Sequence, residues 1–222
     1  MKTLTLYHGS SDIIEKPMYG KGKIYNDYGQ GFYCTENADL AREWACLEAT
    51  DGYVNKYTMD AENISVLNLC DSSYSILHWL TILIENRKFR ISTPIMHRGI
   101  EWLKTNFHLD TTPYDAILGY RADDSYFSFA RSFLSNQISL AQLSYAMKLG
   151  KLGEQFVLIS RKAFDLVHFE GYEAVDSSIY YVKRKARDEE ARSSYLKMLE
   201  KEDENGVYLR DMTNGRVNRN EL

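Results

Sequence analysis

Three short segments contain residue types that can bind a ligand or act on it. His8 stands in LYHGS, Tyr33 in GQGFYCT and Glu154 in LGEQFVLI, in that order along the chain. A histidine can donate or accept a hydrogen bond, a tyrosine ring can stack on a flat ligand, and a carboxylate can stabilise positive charge. Each also has an ordinary structural explanation: His8 as a strand-end residue before a turn glycine, and Glu154 as the polar first residue of an apolar strand. No segment is decisive alone, so their order and local contexts carry the information.

The composition is that of one folded domain with elaborations. The chain has 222 residues, of which 44% are hydrophobic and 26% charged, so we expect one substantial core rather than disorder. The formal net charge of -4 excludes a general attraction to nucleic acid, although a local basic patch is compatible with it.

The cysteine and hydropathy patterns favour a cytoplasmic protein. Cys34, Cys46 and Cys70 are odd in number and lack metal-ligand spacing, which is typical of reduced thiols. We expect no membrane association, because no stretch approaches the roughly 18 apolar residues of a membrane span, and the first residues lack an apolar run of signal length. No metal is expected, since the other histidines lack the mutual spacing of a metal site.

Hydrophobic periodicity predicts an α+β protein. Strands are predicted where apolar residues alternate or cluster, at residues 3–7, 31–35, 55–69, 114–120, 154–160 and 174–183. Helices are predicted where they recur at helical spacing, from 35 or 37 to 47 and at residues 75–89, 96–106, 124–135 and 139–148. Ser139 and Gln142 have the form of a capping box for the last of these helices.

Two features extend this small sheet-based core. The helical stretches at about residues 75–107 and 124–149 are predicted to be insertions around the sheet. From residue 183 onward, blocks of acidic and basic residues predict a charged helical tail over 183–222, with a thin apolar stripe of Tyr195, Met198 and Leu199. A solvated helix packed by one edge and a partner-binding appendage both remain open for this tail.

Together, the three segments resemble the His-Tyr-Glu constellation of the ADP-ribosyltransferase superfamily, in the branch that contains diphtheria toxin and the poly-ADP-ribose polymerases. LYHGS matches the first motif of that branch, and GQGFY resembles the Gly-x-Gly-x-Tyr of the polymerases. The likeness covers residues 1–45 and 114–160. It implies split antiparallel β-sheets around an NAD cleft in a catalytic domain of residues 1–182, to which the helical insertions and the charged C-terminal helix are added.

The resemblance assigns roles to the first two segments. His8 would hold the adenosine-side ribose of NAD by a side-chain hydrogen bond, within a motif that continues through Gly9 and Ser10. Gly9 would let its backbone approach the nicotinamide carboxamide, because no Cβ intervenes. Tyr33 would stack on the nicotinamide ring. Trp44, eleven positions after Tyr33, would sandwich that ring, although Trp44 could equally be a core residue on a face shared with its helical neighbours.

Glu154 would complete the catalytic set with His8 and Tyr33. Its carboxylate would bind the 2′-hydroxyl of the nicotinamide ribose and offset the charge of an oxocarbenium-like transition state. Lys23, with Lys21, would meet the pyrophosphate of NAD, and Tyr25 and Asp27, which stand near Tyr33, would line the pocket; a solvated loop is the alternative for the two lysines. Because a leucine stands two residues before Glu154, where arginine-modifying toxins carry a further acidic or amide residue, arginine is disfavoured as the acceptor.

The activity that the resemblance implies is mono-ADP-ribosyl transfer from NAD, as co-substrate, to a macromolecular acceptor, either protein or nucleic acid. NAD glycohydrolysis is the alternative within the same chemistry, and a catalytically silent module that binds NAD or a partner is the alternative outside it. The likeness is closest to a bacterial family with the same LYHGS, DYGxGFY and GEQ pieces. Its toxin-like members imply a toxin of a toxin–antitoxin pair or a phage-defence effector, with an antitoxin as a possible partner.

Overall fold

The chain folds into an α+β structure built on two β-sheets, as the sequence predicts. The computed structural model describes residues 3–122, 124–149, 153–201, 203–219 and 222. The strands are β1 (Thr3–Ser10), β2 (Phe32–Cys34), β3 (Gly52–Asp60), β4 (Val66–Asn68), β5 (Ala116–Tyr120), β6 (Glu154–Leu158) and β7 (Val167–Val175). The helices are α1 (Ala38–Ala45), α2 (Ile76–Asn86), α3 (Pro94–Phe107), α4 (Asp124–Leu134), α5 (Leu140–Ala146), α6 (Arg161–Asp165), α7 (Ser177–Leu199) and α8 (Leu209–Thr213).

The first sheet is antiparallel, in the order β1-β3-β7. A backbone bridge joins it to the second sheet: the amides of Tyr7 and Thr35 each donate to the carbonyl oxygen of the other residue, at 2.8 and 2.9 Å. This bridge holds the strand that carries His8 beside the strand that carries Tyr33.

The second sheet has the order β2-β6-β5-β4 and is mixed. β2, β6 and β5 pair antiparallel, but β4 pairs with β5 in parallel. The expectation of antiparallel sheets is therefore correct for the first sheet and wrong at this edge of the second. Parallel neighbours require a long crossover, and α2 and α3 supply it between Asn68 and Ala116. The helices predicted as an insertion at 75–107 are thus the β4–β5 connection.

The strand β6 is buried on both faces, which fixes the side on which each of its residues lies. Phe156 and Leu158 pack with Leu6 and Tyr57 of the first sheet. Val157, on the opposite face, belongs to a larger core that includes residues of α2, α3 and α4. Successive side chains of a strand point to opposite faces, so the remaining β6 residues follow the same alternation.

The prediction of a strand at residues 174–183 is wrong beyond Val175, the last residue of β7. The Asp176 side chain accepts a hydrogen bond from the Ser178 amide at 2.8 Å, and this N-cap starts α7 at Ser177. The sequence did not predict β7, most of whose residues are partly or fully exposed, so that its apolar alternation is weak.

The residues of the predicted tail pack onto the same core as the rest of the chain. Helix α7 runs without interruption across the predicted boundary between residues 182 and 183. Ala191 and Tyr195 of α7, with Leu209 and Met212 of α8, are buried in the larger core. The predicted apolar stripe is confirmed at Tyr195, whereas Leu199 is exposed.

Candidate functional site

A cleft of about 740 Å³ is lined by residues of both sheets, of α1 and α7, and of the 11–31 loop. Small-molecule sites commonly occupy about 300 to 1,000 Å³, so the cleft has the size of a ligand site. Of the predicted site residues, the structure brings together His8, Gly9, Lys23, Tyr33 and Trp44 in this lining.

His8 is held by the strand that carries Tyr33. Its Nδ1 lies 2.7 Å from the Tyr33 carbonyl oxygen, which can only accept, so Nδ1 carries the proton of the neutral ring. The ring packs against Phe32, with 4.4 Å between centroids. Burial lowers the pKa of His8 below its ordinary value of 6.5, while the hydrogen bond to the Tyr33 backbone raises it by a lesser amount. His8 is therefore built as a neutral ring whose Nε2 can accept a hydrogen bond from a ligand hydroxyl.

Ligand binding through neutral His8 is expected to tolerate mild acid. At pH 6 an unperturbed histidine is about three-quarters protonated, whereas the lowered pKa keeps a larger fraction of His8 neutral. NAD, the ligand that the sequence resemblance implies, serves as the probe: its affinity, measured by titration at a series of pH values, should fall as the pH is lowered, with a midpoint below 6.5, and His8→Ala should remove that fall. A midpoint at or above 6.5 would contradict the neutral, buried ring.

Gly9 is required by packing between β1 and α1. A Cβ at this position would lie 2.1 Å from the carbonyl oxygen of Ala41 and 2.7 Å from the amide nitrogen of Ala45, both backbone atoms of α1. No L side chain fits there unless α1 moves. The glycine thus brings α1, and Trp44 on it, against the strand that carries His8.

Tyr33 is anchored through its hydroxyl group. The hydroxyl donates to the carbonyl oxygen of Gly29 at 2.6 Å and accepts from the amide of Tyr28 at 3.1 Å. Two bonds to the backbone of one turn hold the ring at the cleft wall. Gly29 has a φ of 75°, a left-handed conformation that favours glycine, so the turn that receives the hydroxyl depends on this residue.

Trp44 lines the cleft from α1. The Arg121 guanidinium carbon lies 4.1 Å from the centroid of the indole ring, a cation–π contact that fixes both side chains. The alternative was a core face that Trp44 shares with Leu40 and Leu47. Leu40 is buried, but Leu47 follows the end of α1 and is exposed, and Trp44 itself is only partly buried.

Glu154, which was expected to lie with His8 and Tyr33, is not among the residues that line this cleft. Glu154 lines a separate cavity of about 560 Å³, as does Phe156, two residues along the same strand. There it lies beside Cys70, whose thiol pKa is raised to about 12, mainly by burial and further by the charge of Glu154. The residue of β6 that lines the cleft is the next one, Gln155.

Gln155 belongs to a hydrogen-bond network at the cleft floor. Its Nε2 donates to Asp27 Oδ2 at 2.8 Å and to the Tyr120 carbonyl oxygen at 3.4 Å. Both partners can only accept, so the amide orientation is fixed and Oε1 remains as the acceptor. Asp27 Oδ2 also accepts from the Ala122 amide at 2.9 Å, and Oδ1 pairs with Arg87 at 2.7 Å.

Sequence reasoning missed Gln155, whereas Asp27 was expected to line the pocket and does line the cleft. The information lies in the strand register: Tyr33 is paired directly with Val157, and directly paired residues lie on one face of a sheet. Gln155, two residues from Val157, must share that face with Tyr33. Because side chains alternate along a strand, Glu154 and Gln155 must lie on opposite faces, but this alternation does not show which of them faces the ligand. The register between β2 and β6 is needed for that.

Positive charge dominates the cleft. Six lining residues are cationic, against the single acidic side chain of Asp27 among the described lining residues: Lys16, Lys21, Lys23, Arg87, Arg121 and Arg184. Asp27 is already paired with Arg87. The remaining positive field favours an anionic ligand group, and phosphate oxygens are the usual partners of such arginines and lysines.

Two other predicted site residues lie outside the cleft lining. The Ser10 hydroxyl donates to the carbonyl oxygen of Asp12. The Tyr25 side chain is 54% exposed, with the Lys88 ammonium 4.1 Å from its ring centroid. Neither residue is among those that line the cleft.

Two absences concern the described part of the chain. Its His, Cys, Asp and Glu residues include no group of three or more that could hold a metal ion. None of its helices combines the length and apolar character needed to cross a membrane.

The fold and the site define an α+β protein with a cationic, aromatic-walled cleft. The chain belongs to a family of proteins of unknown function, DUF3990, whose sequence profile matches residues 4–169. The matched segment contains His8, Tyr33, Trp44 and Gln155 and ends before α7. No curated protein and no solved structure matches the chain.

Proposed function

We propose that the cleft binds NAD and that the protein transfers the ADP-ribosyl group of NAD to a macromolecular acceptor. The observation that carries the proposal is the meeting of His8, Tyr33 and Trp44, from three different elements, in one cation-rich cleft. A dinucleotide offers a flat aromatic ring, ribose hydroxyls and a pyrophosphate. The cleft supplies aromatic walls for the ring, a neutral histidine acceptor for a ribose hydroxyl and cations for the pyrophosphate.

The aromatic and histidine side chains bind and orient. Tyr33, tied to the backbone of its own turn, and Trp44, held by Arg121, offer ring faces for nicotinamide. His8, with its Nδ1 proton engaged by a carbonyl, offers Nε2 to a ribose hydroxyl. These groups are ordered by the protein itself, so little conformational entropy is lost when the ligand binds.

The cations fit the pyrophosphate. Lys21 and Lys23 project from the 11–31 loop, and Arg121 and Arg184 come from other parts of the chain. Arg184 reaches the cleft from α7, where its guanidinium donates to the Cys46 carbonyl oxygen at 3.4 Å. The helix predicted as a separate charged tail therefore contributes to the site.

In this proposal, Gln155 and Asp27 supply the hydrogen-bond acceptor and the negative charge that the reaction needs. The chemistry breaks the bond between nicotinamide and ribose, with positive charge developing on the ribose. Gln155 Oε1 can accept from the ribose 2′-hydroxyl, since its Nε2 is held by Asp27. The Asp27 carboxylate, one hydrogen bond behind the amide, supplies negative charge, and its pairing with Arg87 reduces that contribution.

Incubation with NAD labelled in its adenylate phosphate, with and without cell lysate, tests the proposal. Transfer predicts label on a lysate macromolecule, whereas glycohydrolysis predicts free labelled ADP-ribose in both reactions. Intact NAD after long incubation with folded protein would contradict both activities. Nuclease and protease treatment of the labelled lysate then separates nucleic acid from protein acceptors.

A second candidate, NAD binding without turnover, is favoured by one observation. The carboxylate among the described cleft residues, Asp27, is buried and ion-paired, and Glu154 lies in another cavity. A silent module would bind NAD in the cleft and release it unchanged. Excess enzyme over NAD distinguishes the two, because even slow transfer then consumes NAD in a single turnover, whereas a silent module leaves NAD intact.

A further inference from the structure

The mouth of the cleft is bordered by an exposed loop in which lysines alternate with apolar and aromatic residues. We name as the tyrosine–lysine rim the loop residues Lys16, Met18, Tyr19, Lys21, Lys23, Ile24 and Tyr25. All seven side chains are exposed, Tyr19 to 47% and Tyr25 to 54%. Lys16, Met18, Lys21 and Lys23 also line the cleft. The rim is therefore continuous with the proposed NAD site.

Each rim tyrosine has a cationic side chain beside its ring, and that side chain comes from outside the rim loop. The Arg161 guanidinium carbon lies 4.6 Å from the centroid of Tyr19, and the Lys88 ammonium lies 4.1 Å from that of Tyr25. Tyr19 also meets the edge of Phe164, at 5.6 Å between centroids. The rings are thus positioned by specific contacts although about half of each side chain faces solvent.

All the cations at the rim are available to a polyanion before NAD binds, and Lys16, Lys88 and Arg161 remain so when Lys21 and Lys23 contact the pyrophosphate of NAD. Within the described residues, none of the three rim lysines forms an ion pair, and neither do Lys88 and Arg161. Two acidic residues of the same loop, Asp12 and Glu15, lie at its start and precede all the rim residues. The whole chain carries a net charge of -4, so positive charge is concentrated locally rather than spread over the surface.

We propose that the tyrosine–lysine rim binds single-stranded nucleic acid and presents it to the cleft as the acceptor. Single-stranded nucleic acids are bound by combining a cationic track for phosphates with aromatic rings on which bases stack. An acidic peptide would satisfy the lysines and leave two exposed rings without a matching group. Duplex bases are stacked on each other and cannot reach those rings.

Binding of the strand to the rim does not depend on the proposed ADP-ribosyl transfer. Only the role of the bound strand as an acceptor rests on that proposed function. In that step, an oxygen or nitrogen of the strand bonds to the ribose C1′, and the bond between C1′ and nicotinamide breaks. Nicotinamide leaves with the bonding electron pair, and the acceptor proton passes to water.

Binding is tested without NAD, by fluorescence anisotropy with labelled oligo-dT and oligo-U of about 12 nucleotides, a length within the usual range of single-strand sites. Tyr19→Ala and Tyr25→Ala should each weaken binding by about five- to 150-fold. Tyr145→Ala is the matched control, because Tyr145 is 54% exposed on α5 and is not a rim residue. Its affinity should stay within about twofold of wild type, as for a surface change away from the site.

Salt dependence supplies an independent readout of the lysines. With three phosphate contacts, log K should fall with log salt with a slope of about -2, since each phosphate contact contributes about -0.7 in single strands. The two oligonucleotides distinguish DNA from RNA. Equal affinity for polyglutamate or for duplex, no binding at low salt, or equal loss in Tyr145→Ala would overturn the inference.

A parallel NAD titration keeps the two proposals separate. Tyr19 and Tyr25 do not line the cleft, so their alanine variants should bind NAD with wild-type affinity. Loss of strand binding with intact NAD binding isolates the rim. If wild type binds NAD but no oligonucleotide, the rim inference alone fails; if it binds the oligonucleotides but no NAD, the proposed function alone fails.

Discussion

Replacing Gln155 by alanine is expected to lower NAD cleavage by about two to three orders of magnitude, the scale of losing one group that stabilises a transition state. Gln155 is the β6 residue that lines the cleft, and its amide is fixed by Asp27 and the Tyr120 carbonyl. The substitution removes the acceptor proposed for the ribose 2′-hydroxyl. The measurement is single-turnover consumption of labelled NAD, with NAD affinity determined separately.

Glu154→Ala is the matched control, one residue away on the same strand. Its side chain lines the separate cavity, so cleavage should stay within a few-fold of wild type. Gln155→Ala also leaves Asp27 with one partner fewer, at a cost of about 1 to 3 kcal/mol, so the stability of both variants must be measured. Strong loss in Glu154→Ala with retained cleavage in Gln155→Ala would reverse the assignment and restore Glu154 as the catalytic residue.

Ending the chain at residue 204 is expected to lower the free energy of unfolding by about 3 to 6 kcal/mol, from two buried side chains worth about 1.5 to 3 kcal/mol each. Leu209 and Met212 of α8 are both buried in the larger core, against α3 and its neighbours. A Cβ on Gly99 of α3 would lie 2.3 Å from Leu209 Cδ2, which shows how closely the two helices pack. Urea denaturation of the truncated and full chains measures the loss.

Two point variants separate packing from length. Leu209→Ala should cost about 2 to 5 kcal/mol by leaving a cavity. Leu199→Ala, at an exposed apolar position of α7, should change stability by no more than about 0.5 kcal/mol. A truncated chain as stable as the full chain would show that α8 is a dispensable appendage, as a partner-binding tail would be.

The local signals of the sequence predicted much of the fold correctly. The capping box of Ser139 and Gln142 is present, with the Gln142 amide 3.1 Å from Ser139 Oγ. Asn37 caps α1, one of the two positions predicted for that role. These features depend on residues within one turn of each other, so they can be recognised without knowing the tertiary structure.

Features set by long-range pairing could not be predicted in the same way. Strand β7 lies at the edge of its sheet with mostly exposed residues, so its own sequence gives little signal. The choice between Glu154 and Gln155 depends on the pairing of Tyr33 with Val157, across more than half the chain. The contribution of Arg184 to the cleft depends on where α7 packs. In each case, the relevant partner is far away in sequence.

The most direct test of the central claim is a calorimetric titration of NAD into wild type, Tyr33→Ala, Trp44→Ala and the exposed-tyrosine control Tyr172→Ala. We predict saturable binding at one site per chain, weakened by about 1 kcal/mol or more in each cleft variant through loss of aromatic stacking and unchanged in Tyr172→Ala. Each variant must first show the circular dichroism and unfolding transition of a folded protein. Absence of NAD binding to folded wild type, or equal affinity in all four proteins, would contradict the assignment of the cleft as an NAD site.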